Sequence, residues 1–338
     1  MGKPLQVQTQ ESLDALLDAL RDTPAMRSKF SIQGPAAALG QAQAPDRDAL
    51  YALPGDDTAA IRCGDHYQLL AIEGMIPRFV EQAPWFAGWS AVMANVSDIA
   101  AMGGRATAVV NAYWHHDEAC AGQMLTGIRA ACQAYGLVLA GGHTSQATGN
   151  PAALAVAITG MANRLLSTLH VAPGQTLGLA VDLNGKWHAD TPYWKAFEQV
   201  PAEVLRSKLE VLPVLAEAGL LQAAKDISNA GLLGTLLMLL EPTGCGAEID
   251  LDVLPRPDDG DMLRWLQAFP SFGFLITLNS DDWGPVQAAF VEQGLSCARI
   301  GSINASARLD VQQAGRVVTF WDLASTPFTG FTYPKQEH

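Results

Sequence analysis

The sequence predicts two domains of the mixed α+β or α/β class rather than one doubly wound sheet. Its 338 residues correspond to about two domains at roughly 150 residues each. In both halves, segments with strand character mix with segments of helical periodicity, and several predicted strands are neighbours in the chain. The turn signal VAPGQ at residues 171–175 separates the two halves.

We expect three parts along the chain: an N-terminal helix with a flexible arm (residues 1–49), an N-terminal domain (residues 50–164) and a C-terminal domain (residues 165–330). Residues 10–22 carry leucines at helical spacing and predict an amphipathic helix. Residues 31–55 are rich in Gly, Pro, Ala and Gln, which is typical of a loop or a loosely ordered arm.

The remaining elements follow from periodicity and turn signals. In the first half the predicted strands are 58–62, 67–73, 106–114, 137–140 and 152–161, and the predicted helices are 84–102 and 118–135. In the second half the predicted strands are 176–181, 222–226, 247–251, 274–278 and 297–303, with helices at 202–218, 230–240 and 282–293 and a hairpin near 306–320. Residues 182–194 interrupt this pattern and form either a substrate lid or a plain surface loop.

Composition excludes several classes of protein. Hydrophobic residues make up 49% and charged residues only 16%, which allows a large core and excludes a disordered chain. The net charge of −13 repels phosphate backbones, so we expect neither nucleic acid nor an anionic membrane as a partner. The sequence has no long apolar run and no signal peptide, and its five cysteines are scattered. We therefore expect a cytoplasmic protein with reduced thiols.

A predicted hairpin carries acidic residues at one end. Asp56 and Asp57 precede its first strand, and a turn centred near Asp65 would place Asp57 opposite Glu73. Like charges in that position favour a bridging cation such as Mg²⁺, which prefers carboxylate and phosphate oxygens. A solvated loop with Asp in turn positions is the alternative.

The apolar helix predicted at 84–102 carries two polar residues on one face. Asn95 and Asp98 are three residues apart and lie beside the apolar stripe formed by Val92, Val96 and Ile99. They project either into a site beside the core or from a polar edge near the helix end.

Two glycine-containing segments could approach a ligand closely. Gly141 and Gly142 end an apolar strand, and His143 after them is a ligand contact, a general acid or base, or a turn residue. Asp226 ends a strand of the second half, where it could hold a metal or a substrate hydroxyl. Ser228 or Asn229 could cap the helix that follows, and its N-terminus could instead bind phosphate.

The order of these motifs resembles one family. GDDTAAI, a strand ending in an acidic residue, ANVSDIAAMGG, GGHTS and DISNAGLLG follow one another over about residues 50–310, as in the PurM-like or AIR synthase-related superfamily. This superfamily includes aminoimidazole ribonucleotide synthetase, selenophosphate synthetase, thiamine-monophosphate kinase and a hydrogenase maturation protein. The resemblance implies an N-terminal sheet that closes a barrel across a homodimer, a C-terminal α/β domain, and ATP with Mg²⁺ in the groove between the domains.

The resemblance also implies roles for single residues. It implies metal ligation by Asp56, Asp57, Glu73 and Asp98, cofactor binding by Asn95, and catalytic roles for Asp57 and Asp226. From the residues themselves we add cofactor binding by Lys29, Gly141, Gly142 and Ser228, and a catalytic role for His143. Lys29 would reach the phosphates from the arm, unless that arm is solvated.

Three departures separate the chain from the named activities. Glu73 stands where the family has Asp, and His143 stands where thiamine-monophosphate kinase has Asp, whereas GGHTS resembles selenophosphate synthetase. The arm lacks the cysteine of selenophosphate synthetase, since the first cysteine is Cys63. The chain therefore resembles an AIR synthase-like branch with the signature A-x-E-G at residues 71–74.

We predict an Mg²⁺- and ATP-dependent phosphotransferase or synthetase that acts on a small molecule of unknown identity. The alternative is a non-catalytic nucleotide-binding scaffold derived from the same superfamily. Because His143 replaces a carboxylate, one metal ion should bind less tightly, and the imidazole could instead act as a base.

Overall fold

The computed structural model describes residues 12–40, 50–52, 54–115, 117–146, 151–258, 261–270 and 272–332. Its α-helices are α1 (Leu13–Arg21), α2 (Pro24–Lys29), α3 (Gln33–Gly40), α4 (Pro77–Gln82), α5 (Pro84–Ala101), α6 (Glu118–Tyr135), α7 (Ala202–Glu217), α8 (Gly231–Leu240), α9 (Met262–Leu266) and α10 (Trp283–Glu292). Its strands are β1 (Leu50–Ala52), β2 (Ala59–Cys63), β3 (His66–Met75), β4 (Arg105–His115), β5 (Val138–Gln146), β6 (Ala153–Ala162), β7 (Thr176–Val181), β8 (Lys186–Trp187), β9 (Trp194–Lys195), β10 (Ala223–Asp226), β11 (Gly246–Asp250), β12 (Gly273–Leu278), β13 (Ser296–Asn304), β14 (Arg308–Gln313) and β15 (Arg316–Asp322).

The first half forms a six-stranded sheet in the order β1-β2-β3-β6-β4-β5. Neighbouring strands are antiparallel, except for β4 and β5, which are parallel. Helix α6 connects these two strands, as a parallel pair requires a crossover. Strand β6 lies between β3 and β4, inside the sheet, and every second side chain along it is buried.

Helices α5 and α6 cover one face of this sheet, and the opposite face is apolar and open. The exposed side chains Ile61, Leu70, Ile72, Val110, Trp114 and Met161 lie on strands β2, β3, β4 and β6. The register places them on the same side of the pleat, since Ile72 aligns with Ala157 and Ala157 with Val110. We call this surface the open face of the first sheet.

The second half forms a seven-stranded sheet in the order β10-β12-β7-β13-β11-β14-β15. All residues of its strands β7, β10 and β12 are buried, because helices cover both faces. Helices α1, α8 and α9 contribute to the core on one face, and α7 and α10 contribute to the core on the other. The two mixed sheets confirm the predicted fold class.

The hairpin between β2 and β3 has a different register from the one we expected. Ala59 pairs with Leu70 and Cys63 with His66, and the paired residues of the first strand begin at Ala59, so Asp57 lies before the ladder and is not paired with Glu73. The predicted pairing of Asp57 with Glu73 is wrong because the loop has two residues, Gly64 and Asp65. Gly64 has a φ of +66°, which glycine adopts without strain at the start of such a loop.

Two further elements extend beyond the predicted ones. Strand β5 continues through the GGHTS segment to Gln146, whereas we expected that segment to follow the strand. Residues 24–40, which include part of the predicted loop, form α2, a 3₁₀ turn and α3. The side chain of Thr23 accepts a hydrogen bond from the backbone of Met26 and caps α2, with Pro24 at the first helical position. Part of the predicted arm, residues 41–49, lies outside the described residues.

Within the described ranges, no helix is both long and apolar enough to cross a bilayer. All five cysteines are free thiols.

Candidate functional site

Three carboxylates from distant parts of the chain meet between the two sheets. Asp57, Asp98 and Asp226 each place one oxygen so that these atoms lie within 4.8 Å of one another. Asp57 lies just before β2, Asp98 in the last turn of α5 and Asp226 at the end of β10. Oxygen donors in this arrangement suit a hard divalent cation such as Mg²⁺.

Helix α5 brings the first half of the chain to the second. Ala100 and Ala101 at its end belong to the same hydrophobic core as Ala224 of β10 and Ile276 of β12. This packing holds the last turn of α5 against the edge of the second sheet. Asp98, only 6% exposed, therefore lies beside the end of β10.

Lys225 forms a buried ion pair with the first of these carboxylates. Its ammonium group donates a hydrogen bond to Asp57, and both side chains are buried. The backbone N–H of Asp226 donates to the second oxygen of Asp57 at 3.3 Å. Burial by itself lowers the pKa of Lys225, but Asp57 outweighs that effect and the pKa is raised above its usual value. Lys225 therefore stays charged and neutralises part of the cluster.

The other two carboxylates resist ionisation. Burial, followed by the charge of Asp226, raises the pKa of Asp98 well above its usual value. Burial, followed by the charge of Asp57, raises the pKa of Asp226 to about 8. Without a cation, the protonated forms of these two groups are therefore favoured, and a metal ion would bind in competition with their protons.

Lys29 and Glu73 complete the surroundings of the cluster. Burial and the neighbouring charge of Lys225 lower the pKa of Lys29, whereas burial raises the pKa of Glu73 and Lys29 opposes that rise. Both side chains line a cavity of about 240 Å³ together with Asp57, Asp98 and Asp226. Asp56 and Lys225 line the same cavity, so five carboxylates and two ammonium groups would give a formal charge of −3 if all were ionised, which favours a bound cation.

The structure places Asp56 outside the three carboxylates. One oxygen of Asp56 accepts a hydrogen bond from the hydroxyl of Ser167 and the other accepts one from the backbone N–H of Thr168, at 2.8 Å. These contacts hold the turn before β2 against the segment that joins the two halves. Metal ligation by Asp56 stays a prediction.

Asn95, three residues before Asp98 on α5, bonds to β6 instead of lining the cavity. Its amide nitrogen donates to the carbonyl oxygens of Ala91 at 2.7 Å and Val156 at 2.9 Å, which ties α5 to β6. Asn95 is fully buried, and among the described residues it does not line the cavity over the carboxylates. Its role in cofactor binding also stays a prediction.

The GGHTS segment does not reach the carboxylates within one chain. Its strand, β5, is three strands away from β3, or roughly 14 Å at the usual strand spacing. His143 aligns with Ala112 and therefore belongs to the open face, whereas the carboxylates lie on the helix-covered side. A β-carbon on Gly142 would lie 2.4 Å from the carbonyl oxygen of Asn111, so this glycine allows β4 and β5 to pack closely. The roles predicted for Gly141, Gly142 and His143 stay untested.

The start of α8 differs from the predicted cap. Ala230 occupies the N-cap position and no side chain caps the helix, so capping by Ser228 or Asn229 is wrong. Ser228 instead donates its backbone N–H to Thr235 at 3.1 Å, and its buried hydroxyl has no hydrogen-bond partner. Gly231 has a φ of +67°, and a β-carbon there would lie 2.1 Å from the carbonyl oxygen of Leu266. Ser228, just before this turn, lines the cavity that also contains Asp57, Asp98 and Asp226.

Sequence reasoning missed the role of Lys225, although a signal was present. A lysine inside the otherwise apolar strand β10, directly before an aspartate, must find a buried partner. Its partner, Asp57, is far away in sequence, so only the folded chain identifies the pair.

Comparison with known proteins identifies the family of this chain. The model of the AIR synthase related protein N-terminal domain matches residues 55–162, and the model of the C-terminal domain matches residues 171–313. An uncharacterized protein of Synechocystis sp. is 42% identical over 279 residues, which cover 82% of this chain and 86% of that protein. The chain belongs to the AIR synthase-related family.

A kinase and an ATP-bound structure are also similar to this chain. Thiamine-monophosphate kinase of Salmonella typhimurium is 30% identical over 125 residues, which cover 31% of this chain and 38% of the kinase. The structure of T. maritima PurL complexed with ATP has a TM-score of 0.71 at 14% identity, covering 95% of this chain and 56% of PurL. At that identity the second likeness shows the fold alone.

Proposed function

We propose that this AIR synthase-related protein is an Mg²⁺-dependent enzyme that transfers the terminal phosphoryl group of ATP to a small molecule. The observation that carries the proposal is the convergence of Asp57, Asp98 and Asp226, two of them with raised pKa values. Perturbed carboxylates gathered in a cleft are typical of functional sites. The kinase relative and the ATP complex of PurL support ATP as the phosphoryl donor.

Each residue of the cluster has a role in this proposal. Asp57, Asp98 and Asp226 would hold Mg²⁺, and Glu73 would adjust their charge. Mg²⁺ held by these carboxylates would supply positive charge that neutralises the charge developing on the phosphates during transfer. Lys29 lies where its ammonium group can contact a phosphate, and the N-terminus of α8, which no side chain caps, and the Ser228 hydroxyl offer further donors.

The transfer itself needs only positioning by the protein. The acceptor oxygen attacks the terminal phosphorus of ATP and forms the new P–O bond, while the bond to the bridging oxygen breaks and ADP leaves. A carboxylate of the cluster that is free of its proton takes the proton of the acceptor. A non-catalytic nucleotide-binding scaffold would use the same carboxylates to hold Mg²⁺ with ATP, so release of ADP is the measurement that separates it from the enzyme.

Binding of Mg-ATP tests this proposal. Asp57→Asn should weaken Mg-ATP binding by at least about tenfold, or about 1.4 kcal/mol, because it removes one charged oxygen donor. Isothermal titration calorimetry measures this, with Asp65→Asn as a control from the exposed turn of the same hairpin. Unchanged affinity in Asp57→Asn, or no release of ADP from the native protein with any acceptor, would contradict the proposal.

We further propose that the open face of the first sheet is covered by a second copy of the chain in a two-fold homodimer. A contiguous apolar surface with Ile72 69% exposed is unfavourable in water, and an isologous contact covers it on both copies at once. His143 and the edge strand β5 would then lie in or near the contact between the two copies.

Light scattering tests the dimer. The native protein should be a dimer at micromolar concentration, and Ile72→Glu should shift it to a monomer, because each copy would bury a charge. Val291→Glu on α10 alters a hydrophobic residue that is also exposed but lies outside this face, and it should leave the dimer intact. A native monomer at that concentration refutes the proposal.

A further inference from the structure

A second cavity extends from the carboxylates along α5. It has a volume of about 230 Å³ and is lined by Asp98 and Asp226 at one end. Ser90, Ala94 and Asp98 line it at intervals of four residues, which places them on one face of the helix. Eight residues of helix correspond to about 12 Å, so the cavity leads from the carboxylates to the Ser90 hydroxyl.

The far wall of this cavity is aromatic. Tyr193 contacts Phe79 with ring centroids 5.1 Å apart and Phe269 with centroids 4.9 Å apart and perpendicular ring planes. All three residues line the cavity, together with Met75 and Ile76. The charged residues that line it are Lys29, Glu73, Asp98 and Asp226, which belong to the carboxylate end. The wall formed by Tyr193, Phe79 and Phe269 is therefore aromatic and uncharged, and Ser90 at the far end carries no charge.

Ser90 has a polar group that the protein leaves without a partner. It is 2% exposed, and its hydroxyl has no hydrogen-bond partner in the chain. An unpaired buried hydroxyl costs free energy, which a hydrogen bond to a ligand would recover. Its place on the cavity wall is the independent indication that the cavity receives a ligand.

Residues 182–194, which interrupt the pattern of the second half, supply Tyr193 to the aromatic wall. Tyr193 directly precedes the short strand β9. The backbone N–H of Trp194, the first residue of β9, donates to the carbonyl of Phe269 at 2.9 Å. The indole of Trp194 donates to the carbonyl of Asp182 at 2.9 Å, and Arg264 donates to the carbonyl of Thr191 at 2.8 Å. These contacts anchor the segment on both sides of Tyr193, so the wall is formed before any ligand binds.

We propose that this cavity binds the phosphoryl acceptor, and that the acceptor is a planar compound of one or two rings with an uncharged polar group at its far end. Its ring lies over Ala94 against Tyr193, its far group hydrogen-bonds to Ser90, and its reacting oxygen faces the carboxylates. An apolar cavity of about 150 Å³ is known to hold benzene, so 230 Å³ accommodates one or two rings with small substituents. This inference rests on the proposed phosphoryl transfer, and it makes Tyr193 and Ser90 the residues that determine specificity.

A matched pair of probes tests the inference. The first is 4-(hydroxymethyl)benzamide, and the second is its saturated analogue trans-4-(hydroxymethyl)cyclohexanecarboxamide, which keeps both polar ends and lacks the planar ring. Saturation-transfer NMR on the native full-length protein should show that the aromatic probe binds roughly threefold to tenfold more tightly. Tyr193→Leu should abolish that preference, and Ser90→Ala should weaken both probes by about fivefold.

Controls separate this inference from the proposed function. Ser97→Ala makes the same change on the same helix outside this cavity and should leave both probes unaffected. Mg-ATP affinity should be unchanged in Ser90→Ala and Tyr193→Leu, because neither residue is part of the carboxylate cluster. Equal or undetectable binding of the two probes, or full probe affinity in Ser90→Ala, overturns the inference while leaving the ATP site in place. A loss of Mg-ATP affinity in Ser90→Ala also overturns it, since the cavity would then hold the nucleotide base.

Discussion

Asp226→Asn should lower the affinity for Mn²⁺, a spectroscopic substitute for Mg²⁺, by at least about 100-fold. Loss of an outer-shell partner of a metal ligand typically costs 10–100-fold, so a direct ligand should cost at least the upper end of that range. The same substitution should stabilise the metal-free protein near neutral pH, because it removes a buried carboxyl group whose ionised form is opposed by burial and by the charges of Asp57 and Glu73. Electron paramagnetic resonance of Mn²⁺ measures the first effect, and thermal unfolding in EDTA measures the second.

Asp226→Asn should also change how the stability of the metal-free protein depends on pH. Asp226 has a pKa of about 8 in the folded protein, above its usual value, so between roughly pH 5 and pH 8 the folded chain keeps a proton that the unfolded chain has lost. The free energy of unfolding of the metal-free protein should therefore fall by about 1.4 kcal/mol per pH unit from this group as the pH rises, and level off above its folded pKa. Asp226→Asn should lack this contribution, and saturating Mg²⁺ should reduce it in the native protein.

Asp56→Asn is the matched control. Its carboxylate neighbours the cluster in sequence but accepts hydrogen bonds from Ser167 and Thr168 instead. This variant should keep its Mn²⁺ affinity. Equal loss of Mn²⁺ affinity in both variants would make Asp56 a ligand, as the sequence predicts, whereas undiminished affinity in Asp226→Asn would contradict the three-carboxylate site.

Lys225→Met should destabilise the metal-free protein by about 3–5 kcal/mol, because it leaves the buried Asp57 carboxylate without its counter-charge. Urea unfolding in EDTA measures this loss. Mg²⁺ should restore a substantial part of it, since a divalent cation at the same carboxylate supplies positive charge in place of the ammonium group.

Lys208→Met provides the comparison for that rescue. Lys208 forms a similarly buried ion pair with Asp182, away from the three carboxylates. Its loss should also destabilise the protein, but Mg²⁺ should restore nothing. If Mg²⁺ rescues neither variant, Lys225 does not share a carboxylate with the metal ion.

Local sequence signals were sufficient for most of the fold. Helix α6 was predicted with its observed bounds, because an N-cap Asp117 and a C-terminal Gly136 enclose an amphipathic stretch. Strand β7 was also predicted with its observed bounds, because a buried strand is a short apolar run bounded by a turn signal. The register of the β2–β3 hairpin was predicted wrongly, because it depends on a single residue of loop length. The loop has two residues, Gly64 and Asp65, and a change of one residue shifts every pair along the strands.

The sequence by itself determined the fold class, the family resemblance and the residue types of the site. Those properties depend on residue spacing and motif order, which are readable along one chain. The grouping of the carboxylates depends on the packing of α5 against β10, which joins residues more than 100 positions apart. Only the tertiary structure therefore decided that Lys225 pairs with Asp57, that Asp56 bonds to Ser167, and that His143 lies on the opposite side of the sheet from the carboxylates.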